Sequence, residues 1–189
     1  MQNASTFEVP TQKIRLDRLP QGEPILDIGG GGEGLVSRIE GARVCAIDIR
    51  MDEIREARIH DPPSNWFVGD GRALCFHNSS FQVATLWFSL GYMREWETKR
   101  QVMKEVQRVL KPGGVASIMA SKIECKEDRF LFRVLYTLPD GTISQTGYGV
   151  RGKQDQTLES VSRLLEDIGL RLERTQEHEH WFEILAVKQ

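Results

Sequence analysis

The sequence has little of what marks several protein classes. Its 189 residues contain only three cysteines, an odd number at spacings that match neither a zinc site nor a disulfide framework. Cys45, Cys75 and Cys125 each stand among apolar neighbours, which predicts buried, reduced thiols in a cytoplasmic protein. The formal net charge is only −2, so there is no strong electrostatic reason to bind nucleic acid or an anionic membrane.

Long apolar runs are missing as well. The longest, around 83–93, is too short to cross a bilayer. The first twenty residues do not have the charged-then-apolar layout of a signal peptide. Internal repeats are also missing, and the length suits one domain with a real core. We therefore expect a single soluble domain in the cytoplasm whose partner is a small molecule, neither a nucleic acid nor a membrane.

From residue 25 onward, apolar strand-like segments alternate with helical ones. Strands that are apolar on both faces and alternate with helices are typical of a parallel sheet covered on both sides. The second half departs from this rhythm, because 130–150 reads as an inserted β-hairpin around the turn PDGT. A leader at 1–24 with linker character precedes the alternating part. A helix and an antiparallel strand pair at 157–189 are expected to close the domain.

Four consecutive glycines at 29–32 directly follow the apolar run at 25–28 and directly precede a helix. Glycine is costly in regular structure because its backbone loses the most freedom on folding. Parallel sheets bind ligands at the carboxyl ends of their strands, where the first amides of the next helix point at the ligand. The glycines therefore predict a backbone that approaches a ligand closely.

Two ligand classes use such a loop. Read as G-x-G-x-x-G, the segment 29–34 fits a dinucleotide site, with Asp48 as the expected ribose-binding acid. However, Glu33 lies within the loop and Asp27 lies just before it, and neither favours a nearby pyrophosphate. A cationic ligand such as S-adenosylmethionine is better tolerated, and its ribose offers the same vicinal hydroxyls to a carboxylate.

Four segments between Ile25 and Gly114 resemble the class I S-adenosylmethionine-dependent methyltransferases, particularly the small-molecule type related to quinone-biosynthesis methyltransferases. In chain order they are ILDIGGGGEG, ARVCAIDI, FVGDGRALCFHNSSFQVATLWFSL and EVQRVLKPGG. Their order and spacing are much more specific than the glycines alone. The resemblance implies an α/β, Rossmann-like, doubly wound and mostly parallel seven-stranded sheet, with an antiparallel last strand and 25–121 as the cofactor-binding half.

The resemblance also implies a cofactor role for ten residues at strand ends. Asp27, Gly29, Gly30 and Gly31 are expected around the methionine part of the cofactor, and Asp48 is expected at the ribose. Ile49, Asp70 and Gly71 are expected at the adenine. Trp87 and Phe88 are expected to border the methyl-transfer region. The competing interpretations are turn or capping aspartates for Asp48 and Asp70 and core packing for Trp87 and Phe88. The sequence departs from the family's D-x-G-x-G-x-G at Glu33, where the glycine is displaced to Gly34.

The predicted function is methyl transfer from S-adenosylmethionine to a small-molecule acceptor by in-line displacement, with the protein positioning the reactants and excluding water. Two alternatives stay open: a non-catalytic partner or regulatory subunit with a methyltransferase fold, and an NAD-dependent oxidoreductase. No catalytic residue is assigned. Tyr92, His178 and His180 are candidates for a general base by location only. The two histidines share one strand face, but no further ligand accompanies them, so no metal site is predicted.

The hairpin is expected to complete the acceptor side of the site and to leave the cofactor side alone. Alternate residues on one of its faces are apolar and need burial: Phe130, Phe132, Val134, Tyr136 and Leu138. They could pack over the strand ends of the same chain. They could equally pack against a second subunit, which makes a homodimer the alternative arrangement.

Overall fold

The computed structural model describes residues 4–60 and 63–189. The helices and strands in chain order are β1 (Thr6–Glu8), β2 (Gln12–Arg15), β3 (Ile25–Ile28), α1 (Leu35–Glu40), β4 (Val44–Asp48), α2 (Met51–Ala57), β5 (Asn65–Val68), β6 (Phe81–Trp87), α3 (Trp96–Val109), β7 (Leu110–Ser121), β8 (Arg129–Thr137), β9 (Ile143–Arg151), α4 (Leu158–Asp167), β10 (Leu170–Glu177) and β11 (Trp181–Lys188). The segment HDPPSN at 60–65 predicts a turn, and two of its residues, 61 and 62, lie outside the described residues. Within the described ranges, no helix has the length and apolar character needed to span a bilayer.

Seven strands form the main sheet in the order β10-β11-β7-β6-β3-β4-β5. The five strands from β7 to β5 are parallel to their neighbours, whereas β11 is antiparallel to both β7 and β10. This confirms the predicted fold class. The chain leaves β3 toward β4 on one side and later returns to β6 on the other side. Such a switch point opens a crevice beyond the carboxyl ends of the strands, where ligands bind.

Helices α3 and α4 show how the local sequence specifies a helix. Helix α3 buries Val102, Val106 and Val109 on one face, as spacings of three and four predict. Helix α4 begins with a capping box, in which the Ser160 amide donates to Thr157 Oγ1 at 3.0 Å and the Thr157 amide donates to Ser160 Oγ at 2.9 Å. These contacts satisfy amide groups that the helix itself leaves without partners.

Lys99 on α3 is fully buried and is bound by two glutamines from the loop before α4. Its Nζ donates to Gln154 Oε1 at 3.0 Å and to Gln156 Oε1 at 2.8 Å. Burial lowers the pKa of Lys99 to about 8, because the charged form loses its hydration. The three side chains therefore tie α3 to the chain that follows the hairpin.

A second, smaller sheet is built on the hairpin. Strands β8 and β9 pair antiparallel, while β1 and β2 both pair parallel with β8 along its other edge. The leader therefore contributes two short strands, although its sequence reads as a linker. Each is only three or four residues long and is mostly exposed, so neither carries a clear alternating pattern.

The apolar face of the hairpin is buried within the chain. The side chains of Phe130, Phe132, Val134, Tyr136 and Leu138 are between 0% and 4% exposed. They pack with Ile14 and Leu16 from the leader and with Phe88 and Trp181 from the main sheet. The need for burial that suggested a homodimer is thus met inside one chain.

The cysteine prediction holds only in part. Cys45 and Cys125 are half-buried, but Cys75 is exposed. The prediction of a buried thiol is therefore wrong for Cys75, which lies in the irregular segment between β5 and β6 and not in an element that packs on the core.

Candidate functional site

A cavity of about 670 Å³ lies beyond the carboxyl ends of β3, β4 and β6, with residues 146–148 of β9 on one side. This volume falls in the range of about 300–1,000 Å³ that is usual for small-molecule sites. All ten residues that the sequence predicts around a cofactor line this one cavity: Asp27, Gly29, Gly30, Gly31, Asp48, Ile49, Asp70, Gly71, Trp87 and Phe88. The structure thus brings them together, and their roles toward a ligand stay a prediction.

Asp27, at the end of β3, is the most buried charged group of the cavity wall. It is 3% exposed, and its Oδ1 accepts a hydrogen bond of 2.6 Å from Thr85 Oγ1. Burial raises the pKa of Asp27 to about 7; the bond from Thr85 opposes this rise, and the nearby Asp48 carboxylate adds to it. The carboxyl group therefore exchanges its proton near neutral pH.

The glycine loop leaves no room for side chains beside the two aspartates. A Cβ on Gly30 would lie 2.3 Å from Asp27 Oδ2, and a Cβ on Gly31 would lie 2.8 Å from Asp48 Oδ2. Both distances are far below ordinary contact. Gly34 has a different role. It is the N-cap of α1 and adopts the left-handed region with φ of 58°, which favours glycine. The displaced glycine of the motif thus begins the helix that follows the loop.

Asp48, at the tip of β4, already holds two backbone amides. Its Oδ2 accepts from the Gly31 amide at 3.1 Å, and its Oδ1 accepts from the Arg50 amide at 2.9 Å. The bond from the Arg50 amide stabilises a turn, which is the role that the competing interpretation gives to Asp48. A carboxylate accepts about four hydrogen bonds, so capacity for two ribose hydroxyls remains.

Asp70 follows β5 and is held by a single arginine. Arg72 Nε lies 2.9 Å and its Nη2 2.6 Å from Asp70 Oδ2, and the Arg72 amide donates to Oδ1 at 2.9 Å. These hydrogen bonds lower the pKa of Asp70. A ligand amino group at Asp70 would share this carboxylate with Arg72. Ile49, on the same cavity, is 65% exposed and presents an open apolar surface.

Trp87 and Phe88 at the end of β6 serve the core as well as the cavity. The Trp87 indole N–H donates to Ser117 Oγ at 3.1 Å. Phe88 is 4% exposed and stacks on Phe132 and Tyr148 with ring centroids 5.4 Å and 5.5 Å apart. Its backbone has φ of 61°, which is strained for a bulky residue and is found most often at functional sites.

Tyr148 and Ser89 are among the cavity residues that the sequence analysis did not single out. Tyr148 comes from the hairpin, and its hydroxyl lies 2.9 Å from that of Tyr136. Ser89 is 8% exposed, and its Oγ has no hydrogen-bond partner among the described residues. Tyr148 is the only aromatic residue of β9, which was a usable signal, but only docking of the hairpin shows which of its faces meets the strand ends.

The three candidate bases differ in position. Tyr92 lines the cavity, is about half exposed and lies edge-on to Tyr148 with centroids 6.4 Å apart. Burial raises the pKa of the Tyr92 phenol. His178 and His180 lie at the turn between β10 and β11 and do not line the cavity. The ring of His178 stacks on Trp181 at 3.8 Å.

Charge on the cavity wall is predominantly negative. The arginines are Arg50, Arg72 and Arg94, whereas the carboxylates are Asp27, Glu33, Asp48, Glu53, Glu56, Asp70 and Glu95. Even with Asp27 protonated, the carboxylates outnumber the arginines by six to three. Such a wall favours a ligand that carries positive charge.

Comparison with known proteins identifies the part of the chain that builds this cavity. Residues 25–114 match the family model described as a methyltransferase domain. This match covers slightly less than half of the chain, so residues 25–114 resemble a methyltransferase domain. A crystal structure of an S-adenosylmethionine-dependent methyltransferase from Methanosarcina mazei covers 90% of this chain and 94% of its own, with a TM-score of 0.68 and 24% identity. At that identity the likeness shows the fold.

Curated proteins that resemble this chain differ in what they act on. A demethylmenaquinone methyltransferase from Chlorobaculum tepidum is 34% identical over 119 residues, covering 61% of this chain and 48% of the relative. A dTDP-4-amino-2,3,4,6-tetradeoxy-D-glucose N,N-dimethyltransferase from Saccharopolyspora spinosa is 31% identical over 105 residues, covering 53% and 41%. The chain thus spans about half the length or less of these relatives.

Proposed function

We propose that this chain transfers the methyl group of S-adenosylmethionine to a small-molecule acceptor by in-line displacement. The observation that carries the proposal is the meeting of the glycine loop, Asp27 and Asp48 on one wall of a cavity rich in carboxylates. The two curated relatives support a small acceptor, because both names describe methyl transfer to small molecules. Since those acceptors differ from each other, neither is assigned to this chain.

The cofactor side of the cavity offers groups that fit such a ligand. S-adenosylmethionine, when bound, supplies a methyl group on a positively charged sulfur. We expect Asp27 and Asp48 to bind and orient it, because a cation favours the ionised form of Asp27 and vicinal hydroxyls suit the free lone pairs of Asp48. Ile49 offers an exposed apolar surface for a flat ring. These contacts position the donor without activating it.

The opposite side of the cavity is aromatic and is suited to hold the acceptor. Phe88, Tyr92 and Tyr148 form this wall, and their rings give the cavity an apolar surface. Burial raises the pKa of both phenols, so near neutral pH they are uncharged and can exchange hydrogen bonds with an acceptor. They are poor general bases for the same reason, which favours an acceptor that is nucleophilic without losing a proton to the protein.

The carboxylates of the whole cavity, and not Glu33 alone, disfavour a dinucleotide. Arg38 Nη1 lies 3.5 Å from Glu33 Oε2, so part of the charge at Glu33 is compensated. The remaining carboxylates still oppose two phosphate charges at the loop. We also propose that one chain completes the cavity, because the hairpin face that could have required a homodimer is already buried.

Calorimetric titration with S-adenosylmethionine, S-adenosylhomocysteine and NAD tests the proposed cofactor. We expect both adenosyl ligands to bind and to raise the melting temperature, since a ligand of the native state stabilises it by mass action. NAD should do neither. Stabilisation by NAD alone would refute the proposal. Formation of S-adenosylhomocysteine with a panel of small phenols and amines then tests whether bound donor is used.

A further inference from the structure

Three polar side chains join the glycine loop to the hairpin. Ser144 of β9 donates its hydroxyl hydrogen to Glu33 Oε2 in the loop. The same hydroxyl oxygen accepts a bond of 2.9 Å from Arg38 Nη1 on α1, and Arg38 Nη1 also pairs with Glu33 Oε2 at 3.5 Å. We call Glu33, Arg38 and Ser144 the clasp.

The clasp is largely removed from water. Ser144 is 7% exposed, and the side chains of Arg38 and Glu33 are 12% and 19% exposed. A charged pair in such surroundings must be satisfied by further hydrogen bonds, because desolvation offsets much of its attraction. Ser144 supplies one bond to each charged group. If the hairpin lifted, both of these charge-assisted bonds would break together.

The clasp is continuous with the aromatic wall of the cavity. Ser144 pairs across the hairpin with Tyr136, whose hydroxyl is bound to that of Tyr148 at 2.9 Å. The stretch of β9 that lines the cavity, 146–148, begins two residues after Ser144. The position of the wall is therefore linked to the position of the loop through a short series of contacts.

We propose that Glu33 is a positioning residue that holds the hairpin against the glycine loop, so that the loop and the aromatic wall are ordered as one unit. This goes beyond the proposed function and rests on it only for the ligand used as a probe. Coupling of this kind is reciprocal. A ligand that orders the loop also orders the hairpin, and a loosened hairpin lowers the affinity for the ligand. Glu33, which departs from the family motif, thereby gains a role of its own.

Hydrogen exchange of the ligand-free protein tests the clasp directly. We expect Glu33→Gly and Ser144→Ala each to accelerate exchange of the amides at 143–148 by about tenfold, and the double variant to add little more. Ser144→Thr keeps the hydroxyl and should restore the native rate. Glu159→Ala, which breaks the exposed pair with Arg163 on α4, is the control and should leave the hairpin unchanged. Native exchange rates at 143–148 in both Ser144→Ala and Glu33→Gly would overturn the proposal.

Hydrogen exchange in the presence of S-adenosylhomocysteine tests the coupling between the loop and the hairpin. In the native protein the ligand should slow exchange both at the loop, 29–34, and at 143–148. In Ser144→Ala it should still protect the loop, lose the effect on the hairpin and bind about three- to tenfold more weakly by calorimetry. Protection of the loop without protection of the native hairpin would overturn the coupling. Failure to bind the native protein would instead refute the proposed function, while the ligand-free rates would still decide the clasp.

Discussion

Replacing Asp27 with asparagine should change how the stability of the fold depends on pH. The carboxyl group is 3% exposed, and burial raises its pKa from the ordinary value of 3.8 to about 7. Asparagine has the same shape and keeps an oxygen that can accept the bond from Thr85. It carries no charge at any pH. The variant therefore removes the titration of Asp27 and leaves its contacts nearly intact.

The sign follows from where the protons bind. Between pH 4 and pH 7 the folded protein keeps the Asp27 proton, whereas the unfolded chain has lost it. Stability contributed by the neutral carboxyl is fully present below pH 4 and is lost as the pH rises through 7. At 1.36 kcal/mol per pH unit, the loss approaches about 4 kcal/mol. Asp27→Asn avoids it.

Urea denaturation of both proteins from pH 4 to pH 8.5 measures this difference. The free energy of unfolding of Asp27→Asn, relative to the native protein, should grow by about 3–4 kcal/mol across that range. Asp52→Asn is the control, because Asp52 is exposed and its pKa is lowered by Arg50, so it does not titrate above pH 4. Parallel curves for the native protein and Asp27→Asn would refute the reasoning.

Three further predictions rest on single side chains. Asp48→Ala should weaken the binding of S-adenosylhomocysteine by on the order of 2–4 kcal/mol in calorimetry, whereas Asp52→Ala should leave it unchanged. Unchanged affinity in Asp48→Ala would mean that Asp48 serves only its turn contacts. Tyr148→Phe leaves the buried Tyr136 hydroxyl without a partner and should lower the free energy of unfolding by about 1–3 kcal/mol in urea, and an unchanged value would contradict this. Because burial lowers the pKa of Lys99 to about 8, the unfolded chain binds more protons at this side chain between pH 8 and 10.5. Lys99 should therefore contribute a rise in stability with pH of up to about 3 kcal/mol, which the buried tyrosines partly oppose because burial raises their pKa values. Lys99→Met should abolish that rise, and an identical slope in the variant would refute it.

The main sheet could be predicted because its strands are specified locally. β3 and β6 are apolar on both faces, so nearly every residue of each signals a central parallel strand. β1 and β2 are specified by their partner instead. Thr6 pairs with Arg129 and Gln12 with Val134, more than a hundred residues away, and nothing in three or four mostly exposed residues announces such pairing.

The cofactor side of the site was predictable for a related reason. Asp27 and Asp48 lie at the carboxyl ends of β3 and β4, and the glycines directly follow β3, so knowing the strands places these residues at one edge of the sheet. Tyr148 and Ser89 are different. Tyr148 reaches the cavity because the hairpin folds back over the strand ends, and Ser89 lies on it directly after Phe88, whose φ is positive. Both are consequences of tertiary contacts that no local pattern encodes.

The hairpin contacts the glycine loop, which the sequence analysis did not expect. The cofactor segments all precede β8 in the chain, which led to the expectation that the hairpin leaves the cofactor side alone. Ser144 nevertheless bonds to Glu33, a residue 111 positions earlier, inside the glycine loop. Order along the chain locates backbones, whereas a side-chain contact depends on how two layers meet. Phe132 and Tyr136 cannot test this division, because both are fully buried and their removal would cost the fold itself. Ser144 can, since its hydroxyl contributes to the clasp while its small side chain contributes little to the core.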